Sequence, residues 1–226
     1  MSSKKMNSWN RKKSSSYRIN RFSQNENILI VCEGQTEKYY FESFDVAMLN
    51  VQCIDTKGRT KLQLVEFCEK KVDEYKKEGI IFKEIWCVFD MDVKRGQKEF
   101  ADFDNAIHSA HAKGYKVAYS NDAFEVWFYL HFNYTDQQLL RTFYYGQLSN
   151  FFGYNYEVVG KTEENCKKNY NRLLTHAKSD QIAAIRNSKK LHTNQNHLPF
   201  SQQNPVTTVY LLVQKLNKHL KGVRRS

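Results

Sequence analysis

Apolar residues alternate between two rhythms along the first half of this chain. Short, nearly continuous runs at Asn27-Ile-Leu-Ile-Val-Cys32, Val51-Gln-Cys-Ile-Asp55, Glu84-Ile-Trp-Cys-Val-Phe89 and Lys116-Val-Ala-Tyr-Ser120 predict buried strands. Between them the spacing becomes helical. Tyr39, Tyr40, Phe44, Ala47 and Met48 predict a helix over 35–50. Leu62, Val65, Cys68, Val72 and Tyr75 line one face of a second helix, with Glu69, Lys70, Lys71 and Glu74 opposite. A third amphipathic stretch covers 99–113, and Gly79 and Gly114 close the second and third helices. Strand and helix in strict alternation predict a parallel-stranded sheet flanked by helices, an α/β layer with right-handed crossovers.

Beyond Ala123 the texture changes. Phe124-Glu-Val-Trp-Phe-Tyr-Leu-His-Phe132 is apolar on most sides, and a buried helix suits it better than a strand, in which Glu125 would need a sheet partner. Residues 136–190 read as mostly helical with a turn near Gly153–Gly160, and the polar segment His192–Gln203 reads as a loop. A last helix is predicted from Pro205 to Leu216, with proline in the first turn. The chain thus divides into an arm over 1–25, an α/β domain over 26–135, and a mainly helical C-terminal extension over 136–226 packed on it.

Charge sharpens this division. The net charge is +11, yet residues 1–25 carry seven Lys/Arg and residues 181–226 carry eight, with no acid in either. The middle of the chain is therefore slightly acidic. Basic ends around an acidic centre favour a polyanionic partner, nucleic acid before an anionic membrane, because phosphate contacts release counterions; the alternative is a pair of solubilising tails. Five scattered cysteines without a C-x-x-C pair predict reduced, core-packed thiols in a cytoplasmic protein. No apolar run approaches the roughly 20 residues of a membrane span, and the basic N-terminus lacks the apolar stretch of a secretory signal.

Candidate chemistry gathers at strand ends. Glu33 follows the first strand, while Asp90 and Asp92 follow the third in Phe89-Asp-Met-Asp92. In a parallel sheet, carboxyl ends share one edge, and ligands bind there. Three hard oxygen donors on that edge suit Mg²⁺ or Mn²⁺, which could polarise a phosphoryl oxygen or activate water. Gly34 is expected to allow a tight turn and the close approach of a phosphate. Solvated strand-end carboxylates or helix caps are the plain alternative. His108 and His111 lie on adjacent helical turns and suit a solvated face better than a metal site. Aromatic clusters at Phe143-Tyr-Tyr145 and Asn150-Phe-Phe-Gly-Tyr-Asn-Tyr156 suit core or interface packing better than base stacking. There is no G-x-x-x-x-G-K-[ST] loop, so ATP hydrolysis would belong to a partner.

Three segments, Val31-Cys-Glu-Gly-Gln-Thr-Glu37, Val88-Phe-Asp-Met-Asp92 and Ser120-Asn-Asp-Ala-Phe-Glu-Val-Trp-Phe-Tyr-Leu-His-Phe132, together resemble the signature of RloB-like proteins, a branch of the TOPRIM fold. A looser echo occurs at Asn204-Pro-Val-Thr-Thr-Val-Tyr-Leu-Leu-Val213. The resemblance implies a TOPRIM-like sheet in which Glu33 binds metal or handles a proton, and Asp90 and Asp92 hold the metal. It extends the metal set to Glu37 and Glu125. Asn121 could contact a phosphate or shape its turn. His131 could do the same or simply pack, and Gly34, Lys94 and Arg95 complete the substrate-binding candidates. Asp122 and Ala123 stand where the family pattern leads one to expect Pro-Cys, which puts the geometry of that loop in question. The resemblance further implies a place in bacterial restriction and anti-phage loci, often beside an AAA-type ATPase.

The reading is therefore a metal-dependent nuclease acting on RNA or DNA, with room for a homo-oligomer. Two alternatives stand beside it. One is a non-catalytic subunit that binds nucleic acid or the ATPase. The other is a haloacid-dehalogenase-like phosphatase with Asp90 as nucleophile, although that fold places its Asp-x-Asp on the opening strand.

Overall fold

A computed structural model describes residues 26–47, 49–56, 59–92 and 97–221. The basic run 1–25 and the candidates Lys94 and Arg95 lie outside the described residues. Four strands follow the predicted runs closely: β1 (Glu26–Cys32), β2 (Leu49–Asp55), β3 (Glu84–Asp90) and β4 (Lys116–Asn121). They pair in parallel in the order β2-β1-β3-β4, with α1 (Gln35–Glu42), α2 (Lys61–Lys77) and α3 (Gln97–Ala112) as the crossovers. β1 lies between two neighbours and is covered on both faces, so Ile28 through Cys32 are all fully buried. All five cysteines are free and buried.

This order fixes where a ligand can enter. The chain leaves β1 towards β2 on one side and leaves β3 towards β4 on the other. Right-handed crossovers then place α1 on one face of the sheet and α2 and α3 on the opposite face. The crevice opens between the carboxyl ends of β1 and β3, at the topological switch point. Glu33 and Asp90 stand at those two strand ends.

Three local expectations are corrected. The helix predicted over 35–50 stops at Glu42. Phe44 is buried, and Val46 pairs in an isolated antiparallel bridge with Leu220, so tertiary burial rather than helical periodicity uses these apolar positions. Pro205 does not open a helix. It precedes β5 (Val206–Thr207), which runs antiparallel to β4 and covers its open edge, and α9 begins only at Val209 (Val209–Asn217). The two threonines explain the difference. Thr207 Oγ1 meets Ser120 Oγ at 2.9 Å, and Thr208 Oγ1 accepts the Tyr119 amide at 2.8 Å, so side chains and backbone satisfy β4 together. The loop predicted from His192 starts later, because α8 (Gln181–Gln195) continues through it.

Residues Glu125–Tyr129 form the helix α4, and the extension is helical as expected, with α5 (Arg141–Phe152), α6 (Tyr156–Val159) and α7 (Glu163–Thr175) before α8. Residues 123–131 are buried throughout. The aromatic clusters are core: Phe132 stacks on Phe151 at 4.0 Å between ring centres, and Tyr144 and Tyr156 are fully buried. Among the described residues no helix is long and apolar enough to cross a membrane.

Candidate active site

Backbone bonds build the crevice first. Glu33 N–H donates to Val88 O at 2.9 Å, carrying the β1–β3 pairing one residue past β1. Met91 N–H donates to Ser120 O at 2.9 Å, and the Met91 side chain is fully buried. Alternation then turns Asp90 and Asp92 away from the core. Asp92 lies in the left-handed region at φ 52°, one of the few conformations there that a short polar side chain tolerates. The resulting cleft of about 290 Å³ is lined by Glu33, Glu37, Asp90, Asp92, Arg141 and Lys161 together with Gly34, Gln35 and Thr36.

The acids are not equally compensated. Glu33 Oε2 accepts the Asp90 amide at 3.2 Å, and its Oε1 lies 3.3 Å from Lys61 Nζ. Lys61 is fully buried and also contacts Glu99, while its backbone N–H donates to Asp102 at 2.9 Å. Burial by itself would lower the Lys61 ammonium, but Glu33 and Glu99 more than offset it and hold its pKa above the ordinary value. Asp92 lies 3.2 Å from Arg141. Glu125 is fully buried, with Oε1 accepting Tyr156 O–H at 3.1 Å and lying 3.3 Å from Lys161 Nζ. By contrast, Asp90 Oδ1, Glu37 Oε2 and Glu125 Oε2 are buried without a hydrogen-bond partner among the described residues. Burial pushes the Asp90 carboxyl well above the usual range, with Glu37, Glu33 and Glu125 adding to the effect and Arg141 opposing it. Burial likewise raises Glu37 to about 7.

Unpartnered buried carboxylate oxygens are costly unless a cation satisfies them. The donors are all hard oxygens, which fits Mg²⁺ or Mn²⁺. Among the described residues no group of three or more His, Cys, Asp or Glu side chains is placed to hold a metal ion. One or two carboxylates plus several waters is nevertheless how Mg²⁺ is commonly held, and Asp90 and Glu37 are the cleft-lining acids that keep an unpartnered oxygen.

The RloB-like protein family model matches residues 28–216, from the first strand to the last helix. The chain belongs to the RloB-like family. Comparisons with curated proteins and with solved structures returned no match. The family match spans the α/β layer and most of the helical extension, so its members share more than the sheet that carries the acids.

Asn121 and His131 do not line the cleft of this RloB-like protein, whereas Gly34 does. Asn121 is fully buried and donates to Ser201 O at 3.1 Å, so it ties the end of β4 to the 200–202 turn. His131 packs edge-on against Trp127 at 4.7 Å, with Nδ1 2.9 Å from Trp127 O. Burial lowers its imidazole to about 4, which leaves it neutral and unsuited to holding a phosphate. Gly34 is needed for space and not for its backbone freedom. It is extended at φ −138°, as any residue can be, but a Cβ there would meet Glu37 Oε2 at 3.2 Å.

Sequence reasoning missed the cations. Arg141 and Lys61 are the first residues of α5 and α2, where the helix dipole disfavours positive charge. A cation at a helix start was the readable sign that a carboxylate holds it from elsewhere in the fold. Asp122, the departure from the family pattern, is explained by the same pairing: its carboxylate receives Arg141 Nη2 at 2.9 Å and the Arg141 amide at 3.0 Å. Lys61→Met is expected to destabilise the protein by about 2 kcal/mol, below the ~3–5 kcal/mol of a fully buried broken pair. The smaller figure follows because the Glu33 and Glu99 side chains keep 19% and 10% of their exposure and can recover water. Urea midpoints would check this, and an unchanged midpoint would reduce Lys61 to a packing role.

Proposed function

We propose that this RloB-like protein is a Mg²⁺- or Mn²⁺-dependent nuclease that hydrolyses phosphodiester bonds in RNA or DNA. In this reading it is the effector of a bacterial anti-phage system and is governed by an AAA-type ATPase partner. The observation that carries the proposal is the switch-point cleft of about 290 Å³, lined by Asp90 and Glu37, each of which keeps a buried carboxylate oxygen without a hydrogen-bond partner among the described residues. When bound, the metal would supply Lewis-acid stabilisation of the phosphoryl charge and a more acidic water.

The chain's own groups have separable roles in this scheme. Asp90 and Glu37 would hold the cation together with several waters, and Asp92 and Glu125 add negative charge nearby. Glu33 is held by Lys61 on one oxygen and by the Asp90 amide on the other, an orientation suited to metal binding or proton transfer. Arg141 fixes Asp92, and buried aromatic rings behind the cleft limit rotation of α4. The phosphatase reading loses support from the same contacts. Its downstream acids would have to be Asp122 and Glu125, and these are engaged by Arg141 and by Tyr156 with Lys161.

Inducible expression of wild type and Asp90→Asn, followed by sequencing of cleaved RNA and DNA ends, tests the proposal. Cut ends and toxicity should appear with wild type and vanish with Asp90→Asn, while binding and folding persist. Cleavage at the wild-type rate by Asp90→Asn would refute it. Nucleic-acid binding without cleavage by either protein would favour a non-catalytic defence subunit.

A further inference from the structure

The cleft poses an electrostatic problem that its acids cannot solve. Besides a metal held among Asp90, Glu37 and Asp92, a cation at the rim would help receive a nucleic-acid phosphate that approaches these acids. Among the described residues three cationic side chains bear on these acids. Lys61 is fully buried between Glu33 and Glu99. Arg141 is 17% exposed, and its guanidinium is committed to both carboxylate oxygens and the carbonyl of Asp122 as well as to Asp92. Lys161 differs from both. It lines the cleft, its side chain is 46% exposed, and its ion pair is a single 3.3 Å contact with Glu125.

Resting on the nuclease reading, we propose that Lys161 is the substrate-phosphate ligand of this site, contributed by the helical extension to a cleft built on the sheet. Its backbone is anchored where the role needs it. Gln35 Nε2 donates to Lys161 O at 2.6 Å, joining the α6–α7 connection to the first turn of α1. The stem passes over the Tyr145 ring, with Nζ 5.1 Å from its centre. An ammonium has three donors, and with Glu125 and the Tyr145 hydroxyl engaging it, one donor is left to turn towards a phosphate oxygen. Glu125 would not be abandoned by that movement, because Tyr156 O–H donates to the same Oε1. The wall beside it is α1, whose N-cap Gly34 has no side chain to bond the first amides.

The test uses full-length protein carrying Asp90→Asn, so that binding is read without cleavage. Affinity for short fluorescent RNA and DNA oligonucleotides is measured across a salt series, with thermal melting as a check on folding. Adding Lys161→Met should weaken binding to every sequence and lower the slope of log K against log[salt] by about one phosphate contact, a change of ~0.7–0.9. Lys161→Arg should restore most of the slope. A double change, Lys161→Met with Glu125→Gln, separates ligand from counter-ion and guards against a Lys161→Met protein that fails to fold. If Lys161 binds phosphate, the double variant stays deficient; if Lys161 only neutralises Glu125, the double variant regains wild-type slope and the assignment falls. An unchanged slope in the folded double variant also overturns Lys161 alone. Absence of any binding by the Asp90→Asn protein overturns the nuclease reading, and the Lys161 assignment with it.

Discussion

Arg141→Met is expected to cost about 3–5 kcal/mol of stability, the range for breaking a buried ion pair from one side. Asp122 is fully buried, and Arg141 supplies its charge partner through three contacts: Nη2 to Oδ1 at 2.9 Å, Nη2 to the carbonyl at 3.0 Å, and Nε to Oδ2 at 3.4 Å. Methionine keeps the volume but withdraws the guanidinium from a fully buried carboxylate, which retains the residue-141 amide. The surrounding acids hold the guanidinium more firmly protonated than usual despite its burial, so Arg141 does not escape by losing its proton. Arg141→Lys should recover only part of the loss, because an ammonium cannot match the planar fork. Pairing Arg141→Met with Asp122→Asn should recover more, since the stranded charge is then gone. Denaturant midpoints across the four proteins decide the matter. A loss below about 1 kcal/mol, the range of exposed pairs, would show that this one is solvent-screened.

Glu37→Gln should do the opposite and stabilise the metal-free protein above pH 7. Glu37 is 6% exposed, and its Oε2 has no partner among the described residues. Burial is the main cause of its raised pKa, Glu33 and Glu125 add to it, and its own backbone N–H and Lys161 oppose it. With a folded-state pKa of about 7 against an ordinary 4.5, the folded chain holds a proton that the unfolded chain has released. Stability therefore falls as pH rises from 4.5 to 7 and stays low above it, by about 3 kcal/mol at 1.36 kcal/mol per unit. Glutamine removes the ionisation, so its stability curve should be flatter over that window. Mg²⁺ should stabilise wild type more than Glu37→Gln, because ligand binding to the folded state adds to its stability. Parallel pH slopes for the two proteins would remove Glu37 from the set of uncompensated acids. Such an excess of negative charge is a stability cost typical of sites selected for binding.

Four parallel strands, the crossover helices and the position of Glu33, Asp90 and Asp92 at strand ends were legible in the sequence. They rest on local periodicity and on handedness, which act within a short stretch of chain. The family was legible too, because its three motifs fall in order on those same strand ends. The sequence did not reveal β5. Proline followed by an apolar run reads as a helix start, and only the open edge of β4 makes Val206 and Thr207 a strand. For His131 and Asn121 the sequence left a packing or turn-shaping role beside a phosphate contact, and their observed bonds fit the former. Composition cannot say whether a polar side chain faces a cleft or a neighbouring turn.

The balance of charge inside the cleft was decided by tertiary structure alone. Lys61, Arg141 and Lys161 reach the acids from three separate segments, and Asp122 and Glu125 are held from 19 and 31 positions away along the chain. A carboxylate's behaviour depends on what lies within a few ångströms, whereas the sequence records only what lies a few residues away. The sequence therefore determined which edge of the sheet carries acids. Folding determined that Glu33 and Asp92 meet internal cations, while Asp90 and Glu37 keep oxygens open.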